Sequence, residues 1–247
     1  MNSDLDLFLW LIFPYICLTI FVLGHVWRYR YDKFGWTSRS SQMYERDILR
    51  WANPMFHFGI LAVFLGHVMG LGVPQTWTAA VGISEGMYHF LAISIGVVAG
   101  IGTIVGFVGL VYRRRFTKAV MGATSRMDKL MYLVLGLVIV LGLVNTGSQL
   151  VGDYNYRGGV SVWFRSIFYL SPKPDLMVAA PLSFQIHAIL AIGLFALWPF
   201  TRLVHVFTAP LGYVFRPYIL YRTRDAHEGS RSRRRGWDKV DTIPRRR

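Results

Sequence analysis

Four of the seven histidines in this chain lie in stretches that are otherwise almost entirely apolar. His57 and His67 bound the run "HFGILAVFLGH", and His187 and His205 lie in "QIHAILAIGLFALWPFTRLVHVF" at 185–207. An imidazole in hydrocarbon is costly unless a hydrogen bond or a metal ion compensates it. These residues therefore predict either a buried metal centre or hydrogen bonds that join neighbouring helices.

Two imidazoles that face each other across a helix bundle suit a b-type haem, whose iron takes axial ligands above and below the ring. A zinc site would favour four ligands that include cysteine or acidic residues. The single cysteine, Cys17, cannot hold an iron–sulfur cluster alone. Because two axial histidines leave no open position on the iron, the chemistry that this pattern predicts is electron transfer.

The elements that must position these histidines are membrane-spanning helices. Of the 247 residues, 53% are hydrophobic, and several runs reach the roughly 20 apolar residues that span about 30 Å of hydrocarbon. The sequence predicts an all-α integral membrane protein, a haem-binding bundle of five transmembrane helices. Their predicted positions are about 7–28, 54–73, 87–112, 129–148 and 182–208.

The positive charges predict how the chain crosses the membrane. Of 27 Lys and Arg residues, 24 lie in 28–53, in 113–129 or from Arg202 onwards. Since Lys and Arg accumulate in cytoplasmic loops, the N-terminus is predicted outside and the C-terminus in the cytoplasm. The net charge of +14 is thereby attributed to topology rather than to nucleic-acid binding. We divide the chain into a membrane domain, 1–221, and a basic, disordered cytoplasmic tail, 222–247.

This topology also predicts which histidines pair. The second and fifth spans run in opposite directions, so His57 and His205 form an inner pair, and His67 and His187 form an outer pair. The two spacings, ten and eighteen residues, correspond to rises of about 15 Å and 27 Å in straight helices. We expect tilt and a kink at Pro199 to absorb this difference.

Three blocks of sequence resemble a known family. These are "WRYRYDKFGWTSRSSQMYER", "NPMFHFGILAVFLGHVMG" and "LWPFTRLVHVFTAP". They closely resemble the gamma subunit of membrane-bound respiratory nitrate reductase, a five-span dihaem cytochrome b, and the resemblance covers about 8–220. It implies axial roles for His57 and His205 on the inner haem, and for His67 and His187 on the outer haem.

The resemblance also implies partners, a substrate and a location. It implies an alpha subunit with molybdopterin, a beta subunit with iron–sulfur clusters, quinol oxidation near the outer haem, and the bacterial cytoplasmic membrane. The chain would anchor these subunits and pass electrons to them, while nitrate is reduced to nitrite in a partner chain. Two alternatives remain open. One is the cytochrome b anchor of a formate dehydrogenase, hydrogenase or heterodisulfide-reductase-like complex, and the other is a haem-free assembly anchor.

The predicted quinol site departs from the family pattern at one position. Where some relatives have a lysine, this chain has Met87, and His89 follows two residues later. His89 is the candidate proton acceptor because an imidazole titrates near neutral pH, although it could instead only cap the span at the interface. The other candidates are the polar residues Ser84 and Tyr88, and two glycines that leave space, Gly66 and Gly70.

Overall fold

A computed structural model of the chain describes most of the predicted membrane domain. The described residues are 3–32, 34–36, 41, 43–152, 154–208 and 215. Every regular element in this part of the chain is helical. The predicted tail, 222–247, lies outside the described residues.

Nine helices precede a final 3₁₀ segment in the described part of the chain. They are α1 (Asp4–Tyr31), α2 (Asp47–Gly72), α3 (Gln75–Ala80), α4 (Glu85–Phe116), α5 (Lys118–Gly122), α6 (Arg126–Ser148), α7 (Val160–Phe168), α8 (Asp175–Val178) and α9 (Leu182–Phe200). Five of them, α1, α2, α4, α6 and α9, are long and apolar enough to cross a membrane. The prediction of five spanning helices is confirmed.

Three of the spanning helices, α1, α4 and α6, begin before the apolar runs from which they were predicted, because their polar first turns are capped. Ser3 and Asp6 form a capping box at α1, and Ser125 and Asp128 form another at α6. At α4, the Ser84 side chain accepts a hydrogen bond from the Met87 amide at 3.2 Å. Each cap satisfies amides that have no partner within the helix, so the helix extends into polar sequence.

The helix predicted over 182–208 ends early, at Phe200, and the kink predicted at Pro199 is a break. The last turn of α9, Trp198–Phe200, is a 3₁₀ turn, Thr201 is extended, and a second 3₁₀ segment follows over Arg202–Thr208. Pro199 causes the break, because it has no amide hydrogen for the helix and its ring crowds the preceding turn. The separation of His187 and His205 is therefore not the rise of about 27 Å that eighteen residues have in one straight helix.

Adjacent helices of the bundle pack in the order α2, α4, α6, α9 and α1, and the contact between α2 and α4 is the most extensive. In contrast, α2 and α9 make little direct contact. One end of the bundle carries the starts of α1, α4 and α9 and the ends of α2 and α6. We call it the predicted outer end, after the orientation that the charges predict, and the opposite end the predicted inner end.

Candidate functional site

The structure brings the four histidines together in the two predicted pairs. The ring centroids of His57 and His205 are 6.1 Å apart with an interplanar angle of 70°. Those of His67 and His187 are 6.2 Å apart with an angle of 21°. Each pair bridges α2 and the α9 region, across the gap where these two segments make little contact.

Backbone carbonyls fix the orientation of three of these imidazoles. The Nδ1 of His57 lies 2.8 Å from the Asn53 carbonyl oxygen, and the Nδ1 of His67 lies 2.8 Å from that of Val63. The Nδ1 of His205 lies 2.6 Å from the Arg202 carbonyl oxygen. An imidazole that donates from Nδ1 to a carbonyl keeps Nε2 free as an acceptor, which is the arrangement of metal-binding histidines.

The fourth imidazole, His187, is held differently. Its Nδ1 is buried and has no hydrogen-bond partner among the described residues, although the Val138 carbonyl lies nearby. The ring packs on α6 at Gly142, where a Cβ would lie only 3.1 Å from its Cε1. An alanine at Gly142 would therefore make the ring shift by a few tenths of an ångström.

The break at the end of α9 positions His205. Arg202 makes two hydrogen bonds to the Asp128 carboxylate, from Nε at 2.9 Å and from Nη2 at 2.7 Å. Arg28 of α1 donates to the carbonyl oxygens of Pro199 and Thr201. Two neighbouring helices thus hold the backbone whose Arg202 carbonyl orients the His205 ring.

The paired geometry fits a metal ion with two axial imidazoles. A metal–imidazole bond is about 2 Å long and the ring centre lies about 1 Å behind the nitrogen, so two such rings have centroids about 6 Å apart. Within the described residues, no three His, Cys, Asp or Glu side chains are grouped as a metal site. The residues therefore fit a cofactor that provides the other ligands of its own metal, as a haem does.

A buried arginine at the predicted outer end was missed by the sequence analysis. Arg157 is almost fully buried, forms an ion pair with Glu85 at 2.8 Å, and lies 3.8 Å above the Tyr88 ring. Burial raises the pKa of the neighbouring Tyr156 hydroxyl, and the Tyr88 hydroxyl raises it further. The only signal in the sequence was that Arg157 is one of three basic residues predicted outside.

The predicted quinol residues do not form one cluster. The Ser84 side chain caps α4, and a Cβ at Gly70 would lie 3.4 Å from the Tyr88 hydroxyl. His89 is exposed, and no hydrogen bond or aromatic contact joins it to His67 in the part of the chain that the structure describes. A Cβ at Gly66 would have no atom within 4 Å, so this glycine borders open space.

Comparisons with known proteins identify the relatives of this chain. The family model described as nitrate reductase gamma subunit matches residues 6–224. The nitrate reductase gamma chain of Bacillus subtilis is 45% identical over 217 residues, which are 87% of this chain and 97% of that protein. The respiratory nitrate reductase 2 gamma chain of Escherichia coli is 33% identical over 231 residues, which are 91% of this chain and 100% of that protein.

A longer protein is also similar. The nitrate reductase-like protein NarX of Mycobacterium tuberculosis is 58% identical over 231 residues, which are 92% of this chain but 35% of that protein. The chain thus spans about a third of the length of this relative. The family model and the two gamma chains nevertheless match most of the sequence. From these matches, the chain belongs to the nitrate reductase gamma subunit family.

Proposed function

We propose that this chain is the membrane-anchoring cytochrome b subunit of a respiratory nitrate reductase. In this proposal it binds two b-type haems and oxidises quinol at the predicted outer end. Its electrons pass to an iron–sulfur beta subunit and on to a molybdopterin alpha subunit that reduces nitrate to nitrite. The observation that carries the proposal is the pair of facing imidazoles at each of two depths, about 6 Å between centroids.

When bound, each haem would supply a one-electron carrier with both axial positions filled. His57 and His205 would hold the inner haem, and His67 and His187 the outer haem. The carbonyls of Asn53, Val63 and Arg202 hold three rings with Nε2 free. Because these acceptors belong to the helix backbone or to its braced end, the rings are fixed before the cofactor binds, which lowers the cost of ordering them.

We place quinol oxidation at the predicted outer end, beside His67. A quinone head needs an apolar slot and a few polar groups that accept its protons. The open space at Gly66 supports such a slot, and the exposed His89 is the proposed proton acceptor. Protons released outside while electrons move inward conserve about 2.3 kcal/mol per charge per 100 mV of membrane potential.

We place the partner subunits at the predicted inner end, in the bacterial cytoplasm. The 24 basic residues expected on this side support a docking platform formed by 29–53, 113–128 and the region from Arg202 to Arg216. Membership of a family named for a subunit, the gamma chain, supports assembly with further chains. The family match also favours this reading over the other quinone-linked complexes.

Haem content tests the proposal. The full chain, purified from membranes in detergent, should contain two b haems that titrate as two redox components. His57→Ala and His205→Ala should lose the same component, and His67→Ala and His187→Ala should lose the other, because each pair shares one iron. A wild-type chain without haem would identify a haem-free anchor instead.

His25 provides a matched control. Like the four paired histidines it lies in the bundle, and its Nδ1 lies 2.6 Å from the carbonyl oxygen of the residue four positions earlier, Phe21. Its ring faces Trp36 and Phe207 rather than another histidine. His25→Ala should therefore keep both haems. If His57→Ala and His187→Ala removed the same component, the pairing would be wrong.

A further inference from the structure

The connection between α6 and α9 contains an ordered helix with one buried face. On this helix, α7, the side chains of Val160, Trp163 and Ile167 are buried in one cluster with Trp10 of α1. The Trp10 and Trp163 rings meet edge to face at 5.7 Å, and the Trp163 Nε1 donates to the Trp10 carbonyl at 3.0 Å. The helix is therefore fixed against α1.

The contacts of α7 move deeper into the bundle as the helix proceeds. Trp163 contacts Trp10, whereas the carbonyl of Ile167 accepts a hydrogen bond from the Tyr15 hydroxyl at 2.9 Å. Tyr15 is eleven residues from the start of α1 at Asp4, which corresponds to about 16 Å along the helix axis. Because the hydrocarbon of a bilayer is about 30 Å thick, the end of α7 lies at membrane depth.

Two residues that border the same cluster, on α1 and α9, also lie at membrane depth. Leu18 of α1 and Ile192 of α9 both pack against it. Ile192 lies ten residues after Leu182, where α9 begins, so it is about 15 Å from the predicted outer end. Thus α7 packs against α1 and the last turn of α2, and the cluster to which it belongs extends below the surface of the bundle.

The polar side chains of α7 have partners on the protein side. Ser161 donates to the Gly70 carbonyl at 2.7 Å, and Arg165 donates to the Leu71 carbonyl at 2.8 Å. The Ser166 hydroxyl donates to the Trp163 carbonyl at 2.6 Å. Polar groups are tolerated at membrane depth when the protein satisfies them, as it does for these three side chains.

The tip that follows α7 is apolar and exposed. Phe168, Tyr169 and Leu170 are 59%, 74% and 80% exposed. Leu170 has a φ of 54°, a left-handed conformation that is unusual for a branched apolar residue. The Ser171 amide donates to the Ser166 carbonyl at 3.1 Å, so the turn is closed by hydrogen bonds and the tip is held outward.

We propose that α7 and this tip form a re-entrant segment. The helix enters the bilayer from the predicted outer side along α1, and the side chains of Phe168–Leu170 insert among the phospholipid acyl chains of that leaflet, while the backbone of the turn stays against the protein. The chain then returns to the surface, and the first charged residue after the tip is Lys173, whose long side chain can extend toward the headgroups. This inference depends on the spanning helices and not on haem binding.

The proposed re-entrant segment also contacts the helices that carry the outer histidine pair. The carbonyls that hold Ser161 and Arg165 belong to Gly70 and Leu71, which follow His67 within about one helical turn. Ala188, the neighbour of His187, packs against the same cluster. A membrane-inserted element would thus brace both helices that carry this pair.

Spin-label accessibility tests the proposal on the full chain reconstituted in phosphatidylethanolamine–phosphatidylglycerol vesicles. In a Cys17→Ala background, nitroxides are attached to Phe168→Cys and Tyr169→Cys, with Val151→Cys, 92% exposed in the wild type, as the surface control. Collisions with O₂ should exceed those with the polar complex nickel ethylenediaminediacetate at the tip. The order should reverse at Val151→Cys.

Two outcomes would overturn the proposal. Tip labels that collide with the nickel complex as often as Val151→Cys would place the tip in water. Tip labels that collide with neither reagent would place it against protein, either a second copy or a partner. The unmodified chain provides a second measurement, since an acyl-chain diazirine should label 168–170 and not Val151. The reverse labelling pattern would also contradict insertion.

Discussion

The proposed proton acceptor for quinol, His89, differs from the groups around it in having an exposed ring with no hydrogen-bond partner in the described part of the chain. Tyr88 lies beneath the guanidinium of Arg157, which is itself paired with Glu85. The Ser84 side chain is engaged by the Met87 amide. Of the polar candidates named from the sequence, His89 is thus the one whose side chain is not engaged in these contacts.

The first prediction concerns His89→Ala in the assembled complex. Quinol-driven haem reduction should fall by about 10²-fold or more, because a positioned general base contributes roughly that factor. Both haems and dye-driven nitrate reduction should be retained. Phe90→Ala, an exposed neighbour on α4, is the matched control and should leave the rate unchanged.

Other outcomes of this experiment identify other acceptors. If quinol kinetics are unchanged in His89→Ala, this residue is not in the site. If Tyr88→Phe abolishes the quinol reaction instead, the phenol beside Arg157 is the acceptor. Proton release on the cytoplasmic side would contradict an outer site altogether.

The sequence could predict the histidine partners, because topology and charge assign each residue a depth. It could not predict that the His205 Nδ1 meets the Arg202 carbonyl at the break in the helix. It also could not predict the angle between the two ring planes, which is 70° in the inner pair and 21° in the outer pair. It also missed the ion pair of Arg157 with Glu85. Those residues are 72 positions apart, and only the packing of a loop onto α4 brings them together.

Among the helices, the tightest contact is that between α2 and α4, and it depends on glycine. A Cβ at Gly106 would overlap the Phe56 backbone nitrogen and lie 2.8 Å from the Phe56 Cα. A Cβ at Gly59 would lie 2.7 Å from the Thr103 nitrogen. Small residues let helices in membranes approach closely, so Gly59 of α2 and Gly106 of α4 permit this crossing.

The second prediction compares two glycine substitutions on the same helix. Gly106→Ala must push α2 away at Phe56, next to His57, and should destabilise the fold by about 1–3 kcal/mol, as other overpacking changes do. Gly102→Ala meets nothing within 4 Å and should be neutral. Thermal unfolding in detergent and haem retention measure the difference.

The order in which the two haems are lost distinguishes a local clash at Phe56 from a general loss of stability. Gly106→Ala should lose the haem of the His57 pair before that of the His67 pair, because the strain arises beside His57. Equal stability of the two alanine variants would contradict the close approach of α2 and α4.

The elements also differ in how far the sequence could predict them. Hydrophobic run length was sufficient for the number of spanning helices, and three of them, α1, α4 and α6, begin earlier than predicted where Ser3, Ser84 and Ser125 cap polar turns. It was insufficient at 198–201, where Pro199 breaks the helix and Arg28 and Asp128 from other helices hold the new path. It also gave no sign of α7, since a nine-residue helix is too short to register as a span.

For the whole molecule, the distribution of charge is the basis of the orientation. The segments with 24 of the 27 basic residues are connected to one end of the bundle, and the connection that contains Arg157 and Arg165 is connected to the other. That connection contains only Arg157, Arg165 and Lys173 of the 27 basic residues, so few positive charges oppose the predicted orientation. The proposal that quinol is oxidised outside and that electrons move inward depends on this orientation.

The third prediction tests this orientation with two highly exposed positions. In a Cys17→Ala background, Val151→Cys lies near the predicted outer end and Met43→Cys near the predicted inner end, where the wild-type side chains are 92% and 99% exposed. A membrane-impermeant maleimide added to intact spheroplasts should label Val151→Cys and leave Met43→Cys unlabelled, because Lys and Arg are retained in the cytoplasm. Lysis should make Met43→Cys equally reactive, which controls for its intrinsic reactivity. Labelling of Met43→Cys alone in intact spheroplasts would reverse the topology, and it would place the His67 pair and the proposed quinol site on the cytoplasmic side.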